Sequence, residues 1–426
     1  MHDPLMKKAL VENWALFLGM LMLMVANGLL ATLLTIRGNG LGFSDLTISI
    51  MQACYPFGAL AGTLIAPRLV ERVGHIRVFS ALASLVSISA IIHLLTGDPI
   101  SWSGMRFLAG FCYPGLYVIT ESWLNAKSKN HIRAQVLSIY FVIQLIGPAA
   151  GTALVGLPDP SGNLLFGIVS ILISLSIVPL LLSGNRAPEY SAPERMPATK
   201  LYKISPMAVS GIVLMSIAVA AWYISLPLYA LRQGFTPAQA SGALVVALTV
   251  GALVQYPIGW ISDHTDRRYV VIGLASVTVF AGLWMAADVS PSRTMIGFSV
   301  IAAATLPVYS ILVAHANDQL TAGQIVPASG TMVFLLNIGL FGGTLIGPNT
   351  ISMADGRGLQ ILLIGVSAVV VALAIIRRLK VAAPEDTGAL QAVGIIGVAH
   401  PGVLQAESWV AFEERAKLDP EIDEES

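Results

Sequence analysis

The sequence predicts an all-α membrane protein of about twelve transmembrane helices, arranged as two pseudo-symmetric six-helix bundles. Three observations predict it. Of 426 residues, 55% are hydrophobic and 11% charged, with a mean hydropathy of +0.77. A soluble chain carries about 25% charged residues, so this one cannot cover its own surface with polar groups. Apolar segments recur about twelve times along the chain, each close to the ~20 residues needed to cross a bilayer as a helix. Finally, "RGNGLGFSDLT" opens the second segment and "LRQGFTPAQAS" opens the eighth, with Gly-Phe-Ser at Gly42 answered by Gly-Phe-Thr at Gly234. Repetition between halves is typical of two-bundle membrane proteins.

Each element has its own reason. Lys7 and Lys8 precede an apolar run from Trp14 to Ile36. A signal peptide's apolar core is only about 7–15 residues, so this run reads as a retained first span over 13–36. Further spans are expected at 44–69, 76–97, 100–125, 134–157 and 163–183, then at 207–230, 237–261, 268–288, 293–316, 326–350 and 358–378. Thr236-Pro237-Ala238-Gln239 supplies a capping box with proline at the first helical position, a strong start for the eighth span. Between the halves, GNRAPEYSAPERMPATKLYKISP mixes proline with charges of both signs and reads as a solvated linker. The expected plan is an N-terminal tail at 1–12, a first bundle at 13–184, a linker at 185–206, a second bundle at 207–380 and a tail at 381–426. That tail is polar, ends in DPEIDEES and is expected to be largely disordered, with ESWVAFEERAKL as its one amphipathic stretch.

Lys and Arg set the orientation. Loops on the side of the N-terminus hold most of the basic residues, while the opposite loops hold only Arg37, Arg232, Arg293 and Arg357. Positive charge faces the cytoplasm, so both termini are expected there, in a bacterial inner membrane. The formal net charge is zero, which gives no reason to expect a nucleic-acid partner. Cys54 and Cys112 both lie in apolar segments and read as packing residues rather than a disulfide framework. No phosphate-binding loop, zinc-ligand spacing, catalytic triad or dinucleotide fingerprint rises above background. The expectation is a non-enzyme with no cofactor and no metal. Its partners would be the lipid bilayer, a small-molecule solute and, as an option, protons; it is expected to be a monomer.

Two loops carry a specific pattern. "APRLVERVGHIRVF" follows the second span and "GWISDHTDRRYVV" follows the eighth. An acid closing one helix before a basic tight turn can tie neighbouring helix ends with charge-assisted bonds. These loops resemble the signature G-x-x-x-D-R-x-G-R-R of the major facilitator superfamily. Gly259, Asp263, Arg267 and Arg268 match it in the second half. Glu71, Arg72 and Gly74 match it in the first, with Pro67 in place of the glycine, His75 in place of a basic residue and Arg77 following. The resemblance implies the twelve-helix fold of that superfamily, alternating access, and a cytoplasmic gate latched at these residues. "ITESWLNAKS", "YKISPMAVSGIVL" and "LPVYSILVAHANDQL" further resemble its YcaD-like branch.

The fourth span holds two charges. Arg106 and Gly110 are similar to an R-x-x-x-G pattern of the same superfamily. Arg106 either snorkels to the outer surface or faces a central cavity, and the cost of intramembrane charge favours the cavity. Glu121 lies fifteen residues on, about 22 Å along the helix, so the two cannot touch. Glu121 is expected to join the gate network beside Arg72, Arg77 or Arg133, with a proton- or substrate-binding carboxylate as the alternative. Asp318 is expected to play the matching part beside Arg267. Gly147, Pro148 and Gly151 of "GPAAG", and Gly343, Gly347 and Pro348 of "GGTLIGP", give flat faces for helix contact. They also resemble a motif of facilitator antiporters.

In that superfamily spans one, four, seven and ten line the cavity. Here they offer Asn27, Arg106, Tyr113, Tyr117, Trp222, Tyr223, Tyr229 and Tyr309, with Gln144 and Asn337 from neighbouring spans, whereas His315 is expected to cap or pair at the cytoplasmic boundary. No Asp or Glu falls near any midplane, which disfavours a polycationic solute. Aromatic walls with an arginine and amides suit a small neutral or anionic organic solute moved by secondary transport. A proton-coupled drug or metabolite efflux antiporter is the rival within the class. A membrane sensor or scaffold acting through the tail is the rival outside it.

Overall fold

The computed structural model describes residues 4–128, 130–157, 160, 162–182 and 195–380, with the side chains of 1–12, 126, 130–134, 322 and 380 left undescribed. Six helices form the first half: α1 (Pro4–Gly40), α2 (Asp45–Val73), α3 (His75–Leu95), α4 (Pro99–Lys127), α5 (Asn130–Leu154) and α6 (Leu164–Leu182). A short α7 (Ala198–Ile204) precedes the second half. There α8 (Pro206–Arg232), α9 (Pro237–Asp263), α10 (Arg267–Ala287), α11 (Pro291–Thr305), α12 (Val308–Asn317), α13 (Ala322–Thr350) and α14 (Gly358–Lys380) follow. No strand occurs among the described residues.

Eleven helical segments are long and apolar enough to cross a bilayer, with α11 and α12 counted as one. α4 completes the set of twelve at 29 residues, its hydropathy diluted by serines, aromatics and the two charges. The tenth span, expected as one helix over 293–316, is broken at Leu306 and Pro307. Proline lacks the donor and clashes with the preceding turn, so the helix stops and restarts.

Close helix pairs build each half. Against α1, a Cβ at Gly151 would lie 2.0 Å from the Val25 carbonyl oxygen. Against α8, a Cβ at Gly343 would lie 2.2 Å from that of Ile217. Gly147 faces Met24, Gly347 faces Ala221, and the Pro148 backbone lies against Gly28. α5 therefore meets α1 as α13 meets α8, and only glycine permits either approach. Pro348 lies in the last turn of α13.

The halves join most tightly at the end of the bundle opposite the termini, called here the far end. Ile48 of α2 is fully buried within the core of the second half. Arg232, closing α8, pairs with Asp45 at the start of α2. α2 and α13 also pack along their length, with Phe57 and Phe341 rings 5.6 Å apart.

The segment expected to be a solvated linker departs from that reading where it is described. Met196 is 5% exposed and Leu201 fully buried; the Met196 amide donates to the Pro327 carbonyl at 3.0 Å. Arg195 donates to the Thr63 carbonyl of α2. Apolar residues at 196 and 201 give the segment a face to bury, which its prolines and charges mask in composition. Residues 381–426, including ESWVAFEERAKL, lie outside the described residues.

Candidate functional site

A cavity of about 170 Å³ lies between the halves, lined by residues of both. Among the described residues that line it, the one charged side chain is Arg106, 3% exposed. The α2–α4 contact places it. A Cβ at Gly110 would fall 1.9 Å from the Tyr55 carbonyl oxygen, so glycine lets the two backbones meet. One turn earlier on α4, the Arg106 guanidinium then lies over the Tyr55 ring, 4.5 Å from its centroid. Arg106 Nε and Nη1 are buried and have no hydrogen-bond partner among the described residues. Arg106 does not snorkel.

Polar groups surround it sparsely. Asn27 Nδ2 donates to the Tyr55 hydroxyl at 3.4 Å. Gln52 Nε2 donates to the Ala31 carbonyl at 3.0 Å and to Thr35 Oγ1 at 2.8 Å, which leaves its Oε1 buried and unpaired. Asn337 Nδ2 donates to the Val333 carbonyl at 2.9 Å. Tyr117 and Tyr223 supply aromatic wall from opposite halves.

The cavity gathers some of the expected residues and not others. Arg106, Asn27, Tyr117, Tyr223 and Asn337 line it. Tyr113 instead donates to the Leu23 carbonyl at 3.2 Å within the first-half core. Trp222 donates to Thr305 Oγ1 at 3.0 Å and is fully buried. Tyr229 accepts from Gln360 Nε2 at 2.7 Å, and Tyr309 belongs to a second-half core. Tyr113, Trp222 and Tyr229 are packing aromatics whose polar tips are met inside their own halves. Gln52, Tyr55 and Thr344 line the cavity without having been expected there. Gln52 was findable, being an amide in the apolar run ISIMQACYPF, with Tyr55 one turn away on the same face.

Glu121 is not beside Arg72 or Arg77. It is fully buried, and Oε1 accepts from the Tyr140 hydroxyl at 3.0 Å. Gln144 Nε2 donates to the same hydroxyl at 2.7 Å, which places Gln144 in this α4–α5 network rather than on the cavity wall. Arg72 and Arg77 are exposed, and Glu121 makes no ion pair among the described residues. The Arg133 side chain lies outside them. Arg72 and Arg77 are remote from it because Glu121 sits on the α5-facing side of α4, whereas they flank the α2–α3 turn.

The two signature turns differ. At α9–α10, Arg267 Nη1 donates to Asp263 Oδ1 at 2.9 Å and Nε to Asp318 Oδ2 at 2.8 Å. Arg268 clamps Asp266 through Nη2 at 2.8 Å and Nε at 3.0 Å. Burial pushes the Asp266 carboxyl up, but the Arg268 bonds outweigh it and hold it below the usual carboxylate range. Gly259 lies one turn before Asp263 on α9. Next to this cluster His315 Nε2 meets Gln319 Nε2 at 3.0 Å. At α2–α3, Gly74 turns the chain at φ +88°. His75 Nε2 meets Ser122 Oγ at 2.9 Å, and its ring stands edge-on to Trp123 at 5.9 Å. Glu71, Arg72 and Arg77 are exposed, with no ion pair recorded among the described residues.

Comparison with known proteins adds to this geometry. A family model described as Major Facilitator Superfamily matches residues 16–348. An uncharacterized MFS-type transporter of Yersinia pseudotuberculosis is 24% identical over 350 residues, covering 80% of this chain and 88% of its own. An uncharacterized MFS-type transporter YcaD of Salmonella arizonae is 26% identical over 344 residues, covering 79% and 87%. Among solved structures, the nucleoside transporter NupG aligns with a TM-score of 0.69 at 14% identity, over 86% of this chain and 98% of that one. A bacterial homologue of the human lysosomal transporter Spinster, inward-facing and unoccupied, aligns with a TM-score of 0.66 at 15% identity, over 97% and 99%.

Proposed function

Because the chain belongs to the major facilitator superfamily, we propose that it carries a small organic solute, neutral or anionic, across a bacterial cytoplasmic membrane. The two halves rock about the central cavity, and both termini face the cytoplasm. With the far end joined through Asp45, Arg232 and Ile48, this arrangement is the one closed to the outside. The observation that carries the reading is the cavity itself: lined from both halves, it holds one buried arginine, amides and tyrosines, and no acid. An exporter of cationic drugs would need a carboxylate in that wall, and the described lining offers none. GPAAG, the string that favours such an exporter, sits where α5 contacts α1.

The test is uptake into proteoliposomes from a defined mixture of organic acids, amino acids and vitamins, with the vesicle contents read by mass spectrometry. At least one solute enters with the wild-type protein and not into protein-free vesicles. Arg106→Ala lowers its flux by about tenfold to a hundredfold, the worth of a charge-assisted hydrogen bond. If no solute enters, or if Arg106→Ala carries it at the wild-type rate, the reading is wrong.

A further inference from the structure

We propose that the central cavity binds a small monocarboxylate with a planar body and a hydrogen-bond donor. The proposal rests on the transporter reading above and names its substrate class.

Charge comes first. Arg106 is almost completely buried, yet Nε and Nη1 have no acceptor. Its one recorded contact of consequence is the Tyr55 ring, which attracts a cation but accepts no hydrogen bond along the N–H directions. No ion pair to Arg106 occurs among the described residues, and no acid lines the cavity. The carboxyls at the two ends of α4 are remote: Asp98, its N-cap, lies about 12 Å back along the axis and accepts from the Ser101 amide, while Glu121 lies about 22 Å on and faces Tyr140. A cation held in low dielectric without a partner is costly, and native buried donors are nearly always met. The acceptor must arrive with the occupant.

The count of charges fixes the valence. One guanidinium and no second cation in the wall balance one negative charge. A dicarboxylate or a phosphate dianion would bring an uncompensated charge of its own. The planar fork of arginine matches a carboxylate in two parallel bonds.

Shape and donors complete the description. Tyr55 and Tyr117 of the first half and Tyr223 of the second all line the space, so a flat body meets aromatic wall from both halves. At about 170 Å³ the space is smaller than the roughly 300–1,000 Å³ of sites for drug-sized ligands. Gln52 Oε1 is buried without a donor because its Nε2 is already engaged with Ala31 and Thr35. An N–H or O–H on the solute satisfies it.

Five probes test this on the purified protein: 3-hydroxybenzoate, its neutral amide 3-hydroxybenzamide, plain benzoate, the dianion phthalate, and chloride. Binding is read by calorimetry and by thermal stabilisation. 3-Hydroxybenzoate binds, the amide and phthalate bind at least about tenfold more weakly, and chloride alone does not reproduce the stabilisation. Arg106→Gln loses the preference for acid over amide, Arg106→Lys keeps a weakened preference, and Gln52→Leu weakens the hydroxy acid more than plain benzoate. Equal binding of acid and amide by the wild type overturns the proposal without any variant, as does phthalate binding best, chloride sufficing, or none of the probes binding. The transporter reading fails separately: radiolabelled 3-hydroxybenzoate that binds but does not cross proteoliposomes sinks transport and leaves the binding site standing. A neutral solute that crosses in an Arg106-dependent way, with no preference for acid over amide, does the reverse.

Discussion

The α9–α10 turn and the α2–α3 turn occupy equivalent places in the two halves but are held by different forces. In the second half, Arg267 joins Asp263 and Asp318, tying the ends of α9, α10 and α12. In the first half no ion pair occurs at the turn among the described residues. His75 fills the equivalent place and is packed between Ser122 and Trp123 of α4. Each turn anchors the start of its following helix to the end of a cavity helix, α12 in one half and α4 in the other. The repeat preserves the position to be joined and leaves the chemistry free. Every described ion pair at this end stays within the second half. The one described ion pair that crosses between halves, Arg232 with Asp45, is at the far end.

The comparison breaks most visibly at His75, which is 2% exposed. His75→Ala removes a buried ring and leaves Ser122 without that partner. The expected loss is about 2–4 kcal/mol, within the range for large-to-small changes at packed sites. His75→Phe keeps the aromatic contact with Trp123 and costs clearly less. Thermal unfolding in detergent measures both. If the two variants lose the same amount, the Ser122 bond rather than packing holds this turn.

Arg267→Ala comes next. It leaves Asp263 and Asp318 partly buried, unpaired and close to each other, at an expected cost of about 1–2 kcal/mol. Either acid alone, as Asp263→Asn or Asp318→Asn, costs less because Arg267 keeps its other partner. A double-mutant cycle between the two acids reports their coupling through the shared guanidinium. Added salt should reduce the Arg267 effect and leave the His75 effect unchanged. A salt-independent loss at Arg267 would erase the contrast between the turns.

The same contrast explains what the sequence made legible. A helix that crosses lipid must be long and mostly apolar, so eleven of the twelve crossings stand out in hydropathy, the fourth is diluted by its charges, and Pro307 divides one. Arg106 was legible by cost, since a charge so placed needs a reason. Glu121 was recognised as unusual for the same reason, but its partner was not, because Tyr140 is neutral and a charge inventory looks for cations. Tyr113 and Trp222 were assigned to the wall on the strength of their helices. The choice between wall and core depends on helix rotation, which a nearly uniform apolar pattern does not encode. Gln52 and Tyr55 lie on the second span, outside the six spans from which the wall residues are expected.

The smallest expected effect is the most informative about the gate. Glu71 is exposed and has no ion pair in this arrangement among the described residues. Glu71→Gln should therefore change thermal stability by no more than about 0.5 kcal/mol, the usual range for surface positions. Its work, in the proposed cycle, comes when the halves close at the end carrying the termini and the exposed acid meets a partner. Spin labels placed at the ends of α2 and α9 near that face report the distance between halves. Glu71→Gln should lower the population of the short distance without moving the melting temperature, whereas Arg267→Ala should lower the melting temperature first. If Glu71→Gln destabilises the protein as much as Arg267→Ala, the first-half turn is held by charge after all, and the two halves are alike. If it moves neither quantity, Glu71 is a topology-setting charge with no part in the gate.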